Sequence, residues 1–319
     1  MRLEVTATID RPVVDLFGGT PGLFAGEIPR ISDFFDSSNS DSWICPHDLF
    51  DVWGDEDYIN YLGRMADQKN LILFNRGDFA KHFCHPNVIS LQTSIEPGFR
   101  CLKHRTIVVP YNVRIMTPFT LRVYTPNPVI SFMGYVPKLT FGRYFRSFWP
   151  LPPKPIKRNG ALIRRQGLKK VSTFPQSKVT PRSEYSGTYK AHGEKTDLRV
   201  SYEDSLINSD FVFCPRGDGN MSQRFYEAIS AGRTPIVPDS DMLFPQLAKD
   251  YLSDSIIQVD SLSTELHDSV MRFWRKLTED SYAEHQRRLE KLFKEDLSYA
   301  QYMTKLFNSK IEELNKFTV

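Results

Sequence analysis

The chain has 319 residues, 40% apolar and 13% aromatic, which excludes a disordered protein and leaves room for two domains with separate cores. Its 41 basic and 38 acidic residues give a formal net charge of +3, which excludes a general nucleic-acid binder. No run of ~18 apolar residues is present to span a membrane.

At the N-terminus, Met1–Asp10 lacks the apolar core of a secretory signal, and four cysteines without framework spacing point to a reducing, cytoplasmic address. Short apolar runs at Val13–Phe17, Leu71–Phe74, Val88–Leu91 and Ile107–Val109 predict buried parallel strands, with a helix over Tyr58–Gln68. The turn Gly18-Gly19-Thr20-Pro21-Gly22 either brings backbone amides to a phosphate or is simply a turn. Asn75-Arg76-Gly77-Asp78 ends the second run, where ligands of open α/β sheets gather, so Asp78 is a candidate general base. Glu27 and Glu96 are alternatives, as are His82 and His85. His82-Phe-Cys84-His85 with Cys45-Pro-His47 has too irregular a spacing for zinc, and is read as buried thiols beside histidines.

Tyr124-Thr-Pro-Asn-Pro128 is stiffened by two prolines and is taken as the linker between residues 1–125 and 126–295. Beyond it, Val129–Met133, Val171–Phe174, Phe211–Cys214 and Thr234–Val237 predict further strands, and Ser222–Ala231 a helix. The alternation predicts an α/β fold with mostly parallel sheet. Gly134, closing Ser131-Phe-Met-Gly134-Tyr135, would permit close approach of a ligand or backbone. Arg143 and Arg146 are placed on a helix that could complement a phosphate site. Trp149–Pro155 is a proline-rich break, and the basic block Lys154–Lys170 reads as a solvated helix face. Residues 261–317 turn charged and amphipathic, with apolar positions at Val270, Phe273, Trp274, Leu277, Leu289, Leu292 and Phe293.

The run from Ser209 to Pro238 carries the most chemistry. It reads as buried strand, glycine-bearing turn, amphipathic helix, glycine stop and second buried strand. The turn holds Arg216, Gly217 and Gly219, and the helix holds Ser222, Arg224 and Glu227. Amides at a helix start beside two arginines suit a phosphate-bearing ligand. A carboxylate about one turn in suits a sugar hydroxyl pair, and Ser222 suits an N-cap, a phosphate ligand or both. Asp218 would repel a diphosphate and takes no role. Asp239-Ser-Asp241 could hold a divalent cation, but a lone Asp-x-Asp is a weak signal, and no metal is expected.

Phe213-Cys214-Pro215-Arg216-Gly217, Ser222-Gln-Arg224-Phe225-Tyr226-Glu227-Ala228 and Gly232-Arg-Thr-Pro235-Ile236-Val237 together resemble the signature of exostosin-type (family 47) glycosyltransferases. Pro215 follows Cys214 directly, where many members insert one or two residues. The likeness is concentrated in this run, and the first 125 residues show no family pattern. It implies a GT-B-like architecture, two Rossmann-like domains facing a central cleft, with 296–319 as a C-terminal helix crossing back to the first. It also implies an inverting, metal-independent transfer from a nucleoside-diphosphate sugar, UDP-linked, to a glycan or polysaccharide hydroxyl. In this scheme Arg216, Gly217, Gly219, Ser222, Arg224, Glu227 and Gly134 bind the donor, and a first-domain residue supplies the base. Many eukaryotic relatives carry an N-terminal Golgi anchor, so its lack here predicts a cytoplasmic enzyme. The alternative is a non-catalytic glycan-binding or scaffolding partner of another transferase, and homo- or hetero-dimerisation stays open.

Overall fold

The computed structural model of the chain describes residues 42–48, 54, 56–68, 70–75, 83–95, 105–113, 119–138, 159–183, 197–217, 219–260 and 265–308. The expected Val13–Phe17 strand, the Gly18–Gly22 turn, Arg143, Arg146 and the Trp149–Pro155 break lie outside them. By its contacts the chain forms two units: Met1–Asn112 with Met242–Leu247 and Leu297–Val319, and Val113–Asp241 with Ala248–Asp296. The expected α/β class holds, with a wholly parallel sheet in each unit.

The first sheet takes its strands in sequence order: β1 (Ser42–Asp48), β2 (Asn70–Asn75), β3 (Val88–Gln92) and β4 (Arg105–Val108). Strand β2 is a continuous apolar run because both its faces are covered, Leu71, Ile72, Leu73 and Phe74 all being at most 2% exposed. Helix α1 (Glu56–Gln68) buries Tyr58, Leu62, Met65 and Ala66, one stripe at helical spacing, against Leu71, Leu73 and Val88.

The second sheet contains β5 (Ile130–Tyr135), β6 (Ser177–Arg182), β7 (Phe211–Phe213), β8 (Thr234–Asp239) and β9 (Ile257–Asp260), in the order β6-β5-β7-β8-β9. Winding reverses between β5 and β7, so their carboxyl ends flank a topological switch point, the usual ligand position of an open parallel sheet. Helices α2 (Gly160–Val171), α3 (Asp197–Ile207) and α4 (Gln223–Ser230) follow β5, β6 and β7. A short α5 (Lys249–Leu252) precedes β9, and α6 (Leu266–Trp274) and α7 (Glu279–Leu292) follow it. The core joins Ile130, Phe132, Phe211, Phe213 and Ile236 of the sheet to Leu168 and Val171 of α2 and Val270 and Trp274 of α6. Each such side chain, fully buried, contributes about 1.5–3 kcal/mol.

One predicted strand is wrong. Val171–Phe174 is the end of α2 and its exit turn, with Ser172 N–H donating to Leu168 O (2.9 Å) and Phe174 N–H to Val171 O (3.2 Å). Its apolar residues continue the buried stripe of Ile163, Gly167 and Leu168, so their period is helical. The strand comes next, at Ser177–Arg182.

The segment after Pro118 belongs to the second unit. Tyr124 stacks on Trp274 (4.7 Å between centroids), whose Nε1 donates to Thr125 O at 2.8 Å. Beneath it lies a polar network. Asp210, 1% exposed, accepts from Arg122 Nε, Tyr282 OH and Val129 N, each at 2.7 Å. Arg233, also buried, donates to Ile207 O, Gln286 Oε1 and Thr120 O. Burial pulls its guanidinium down to about 10. At the other end of α7, one turn of π-helix (Phe293–Leu297) leads into α8 (Tyr299–Asn308), which is counted with the first unit.

Candidate functional site

The switch point gathers the residues of the signature run. Strand β7 ends at Phe213, and Cys214 N–H still bonds to Ile236 O (2.8 Å) before the chain turns through Arg216, Gly217 and a buried Gly219. Helix α4 starts after Ser222, whose φ of −128° and ψ of 124° are those of an N-cap. Its hydroxyl makes no capping bond, Phe225 N–H turns back to Ser222 O (3.0 Å), and the helix start carries the positive end of the dipole.

Arg224 leans back across the sheet. Its Nη2 donates to Met133 O at 2.8 Å, and its guanidinium lies 4.5 Å from the Phe132 ring centroid. Gly134 makes this possible: a Cβ there would fall on Arg224 Nη2. The close approach expected at Gly134 is therefore made by a protein side chain, which fixes a cation over the end of β5.

Two further groups converge on the turn. The start of α2 is capped by Asn159, whose Oδ1 accepts from Leu162 N (3.0 Å), and Gly160 packs so tightly that a Cβ would strike Gly217 O. Arg164 donates from Nε to Arg216 O (3.0 Å) and from Nη1 to Tyr135 O (2.6 Å), tying together the two strand exits that flank the switch point. Arg165 donates to Pro137 O. Within Lys154–Lys170, expected to be a solvated face, these two arginines thus bind backbone carbonyls. Arg216 is 2% exposed.

Glu227, expected at a cleft edge, is 7% exposed and sits in a polar clasp from α3. Arg199 Nη1 donates to its Oε1 (3.2 Å), and Tyr202 OH donates to its Oε2. Arg199 Nε also donates to Glu203 Oε1 at 2.7 Å. Burial pulls the Arg199 guanidinium down, but the Glu227 and Glu203 carboxylates outweigh it, and the net shift is upward. Burial and the Glu227 charge hold the Tyr202 phenol well above its ordinary value, and burial likewise raises the Cys214 thiol. Both stay protonated. Nothing in the sequence singles out Arg164, Arg199 or Tyr202. The last two sit at i, i+3 on a helix that buries only Leu206, so no apolar stripe marks them.

In the Asp239-Ser-Asp241 triplet, Asp239 Oδ1 accepts from Asp241 N (3.0 Å), and the main-chain carbonyl of Asp241, at φ 56°, accepts from Asn220 Nδ2 (3.1 Å). In the first unit, Asn75 at the end of β2 donates to Gln92 Oε1 (3.1 Å). The candidate bases Asp78, Glu27 and Glu96, with His82, lie outside the described residues. Cys84 is exposed rather than buried, since it sits in the loop before β3, and His85 pairs with Asp67 at 3.1 Å. Among the described residues no helix is long and apolar enough to cross a membrane.

Residues 169–254, which include the signature run, match the family described as RXYLT1 C-terminal domain. No curated protein matches the chain. Among solved structures it is similar to TarM (13% identity, TM-score 0.36, covering 79% of this chain and 57% of that one). It is also similar to the GtfA/B complex (9%, TM-score 0.37, 86% and 57%) and to the spinosyn rhamnosyltransferase SpnG (10%, TM-score 0.36, 81% and 78%). The chain spans little more than half the length of the first two, and likenesses this distant carry no functional weight.

Proposed function

We propose that the protein is a glycosyltransferase of exostosin type, with a GT-B architecture, that takes a sugar from a nucleoside-diphosphate donor, UDP-linked, to a glycan or polysaccharide hydroxyl. One observation carries the reading: at the switch point of a parallel sheet, an uncapped helix N-terminus, the Arg224 guanidinium and a buried carboxylate one turn along the same helix meet. Charge grows on the leaving diphosphate during transfer, and fixed donors aimed at it lower the barrier. Arg224, the α4 amides at 222–224 and the Arg216-Gly217-Gly219 turn would supply that stabilisation, with Ser222 Oγ as a further ligand. Glu227 would accept hydroxyls of the donor.

The reaction in this reading is inverting: the acceptor oxygen attacks the anomeric carbon from the face opposite the diphosphate while a first-unit carboxylate, Asp78, Glu27 or Glu96, takes its proton. Fixed cations take the place of a metal. The match over residues 169–254 supports the glycosyltransferase reading, and the cytoplasmic address rests on cysteine usage. A donor panel tests the reading. UDP should raise the melting temperature more than GDP or CMP, and a UDP-sugar should be hydrolysed to UDP at a rate EDTA leaves unchanged. No shift with any nucleotide at millimolar concentration would sink the enzyme reading, and binding without turnover would favour the non-catalytic partner.

A further inference from the structure

Donor binding alone does not account for the polar contacts that α3 makes with Glu227. A carboxylate that only stabilised its own helix could face solvent near the α4 N-terminus and use the dipole. Glu227 instead is desolvated, its side chain 10% exposed, and both its oxygens are engaged from a different helix. Burying a carboxylate is unfavourable unless it is paired and hydrogen-bonded, and Arg199 and Tyr202 meet that requirement from one side.

Resting on the donor site proposed above, we propose that Arg199 and Tyr202 are positioning residues that hold Glu227 oriented as a two-oxygen acceptor for a vicinal diol of the donor. An ionised carboxylate offers about four lone-pair sites over two oxygens. Among the described residues Arg199 takes one on Oε1 and Tyr202 one on Oε2, and a 1,2-diol needs one more on each oxygen. The clasp is also tied to the phosphate side of the site. The Tyr202 ring has the Arg199 guanidinium 5.3 Å and the Arg224 guanidinium 6.0 Å from its centroid, so a single ring spaces the diol-binding carboxylate from the cation over β5. Glu203 also engages Arg199, accepting from its Nε at 2.7 Å, so the guanidinium that bonds to Glu227 is itself anchored on α3.

A vicinal diol exists both on the ribose and on the transferred sugar, and the test separates them. Affinity for UDP and for 2′-deoxy-UDP is measured by calorimetry, and kcat and KM with the UDP-sugar by release of UDP. Wild type, Tyr202→Phe, Arg199→Gln, Glu227→Gln and the Tyr202→Phe/Glu227→Gln double variant are compared, with urea midpoints as a folding control. Tyr202→Phe should weaken the diol interaction about tenfold, the scale of one lost bond to a charged group, with kcat nearly unchanged. If the ribose is held, the loss appears with UDP and vanishes with 2′-deoxy-UDP; if the sugar is held, UDP binds normally and only the UDP-sugar KM rises. Either way, Tyr202→Phe should add nothing in the Glu227→Gln background. Unchanged UDP affinity and KM in Tyr202→Phe and Arg199→Gln, or losses that simply add to that of Glu227→Gln, would overturn the positioning role while leaving the donor reading intact. Wild-type protein that binds none of the nucleotides overturns both.

Discussion

At the scale of single residues, buried charge is used in two ways. Arg224 is held by a carbonyl and a ring, contacts that keep its charge instead of neutralising it. Arg224→Ala should therefore abolish most transfer while the urea midpoint moves little, and wild-type turnover in that variant would remove it from the phosphate site. Gly134→Ala makes the same test from the other side: its methyl group displaces Arg224 Nη2, and donor affinity should fall without any change to the arginine itself. Asp210 is the contrasting case, a carboxylate whose acceptor sites serve packing. Asp210→Asn leaves Arg122 without its counter-charge and should lower unfolding stability by roughly 3 kcal/mol in urea titrations. His285 is also structural. Burial, with a smaller push from Arg288, lowers it from 6.5 to about 4. The Arg288 guanidinium donates to its Nδ1, which leaves Nε2–H to donate to Thr234 Oγ1 at 2.9 Å. Between those two values the unfolded chain binds a proton that the folded chain refuses. Its contribution is thus complete above pH 6.5 and declines as pH falls toward 4, by on the order of 3 kcal/mol in all. His285→Gln should flatten that part of the stability–pH curve.

At the scale of elements, helix α4 ends as clearly as it begins. Gly232 at φ 69° lets Gly232 N–H reach Ile229 O (2.9 Å) and Arg233 N–H reach Ala228 O (2.8 Å), the paired bonds of a Schellman stop. Gly232→Ala forces an L side chain into the left-handed region and against Phe119 and Gln286 O, so a loss of about 2 kcal/mol or more is expected from thermal unfolding. This element was legible because Ser222, Gly232 and the apolar set Phe225, Ala228 and Ile229 agree. Strands β2, β3, β5, β7 and β8 were legible as apolar runs for the same reason: each is covered on both faces. The missed strands all lie at sheet edges, where that signal fades, although the edge strand β4 was legible from the buried run Ile107–Val109. Strand β6 alternates between half-buried and exposed along most of its length, β9 alternates strictly, and β1 has a register break between Ile44 and Asp48, around Pro46. The site was legible only where it lies on one contiguous run. Arg164, Arg199 and Tyr202 reach it from other helices, and nothing local in sequence says that a side chain on α2 or α3 will meet the turn after β7.

At the scale of the whole molecule, chain order and spatial order differ. The first unit is assembled from three stretches, with Met242–Leu247 and everything from Leu297 supplied after most of the second unit has been laid down. In α8, Tyr302, Met303 and Leu306 are at most 1% exposed. A truncation after Asp296 should therefore raise hydrogen exchange in β2 and β3, far away in sequence, while β7 and β8 keep their protection; equal loosening of both sheets would contradict the division. The same arrangement bears on synthesis. The second unit needs nothing beyond Asp296 and can close its sheet once α7 has left the ribosome. The first unit, made first, has to wait with unfinished apolar surface until α8 emerges, and that interval is when a chaperone would find most to bind.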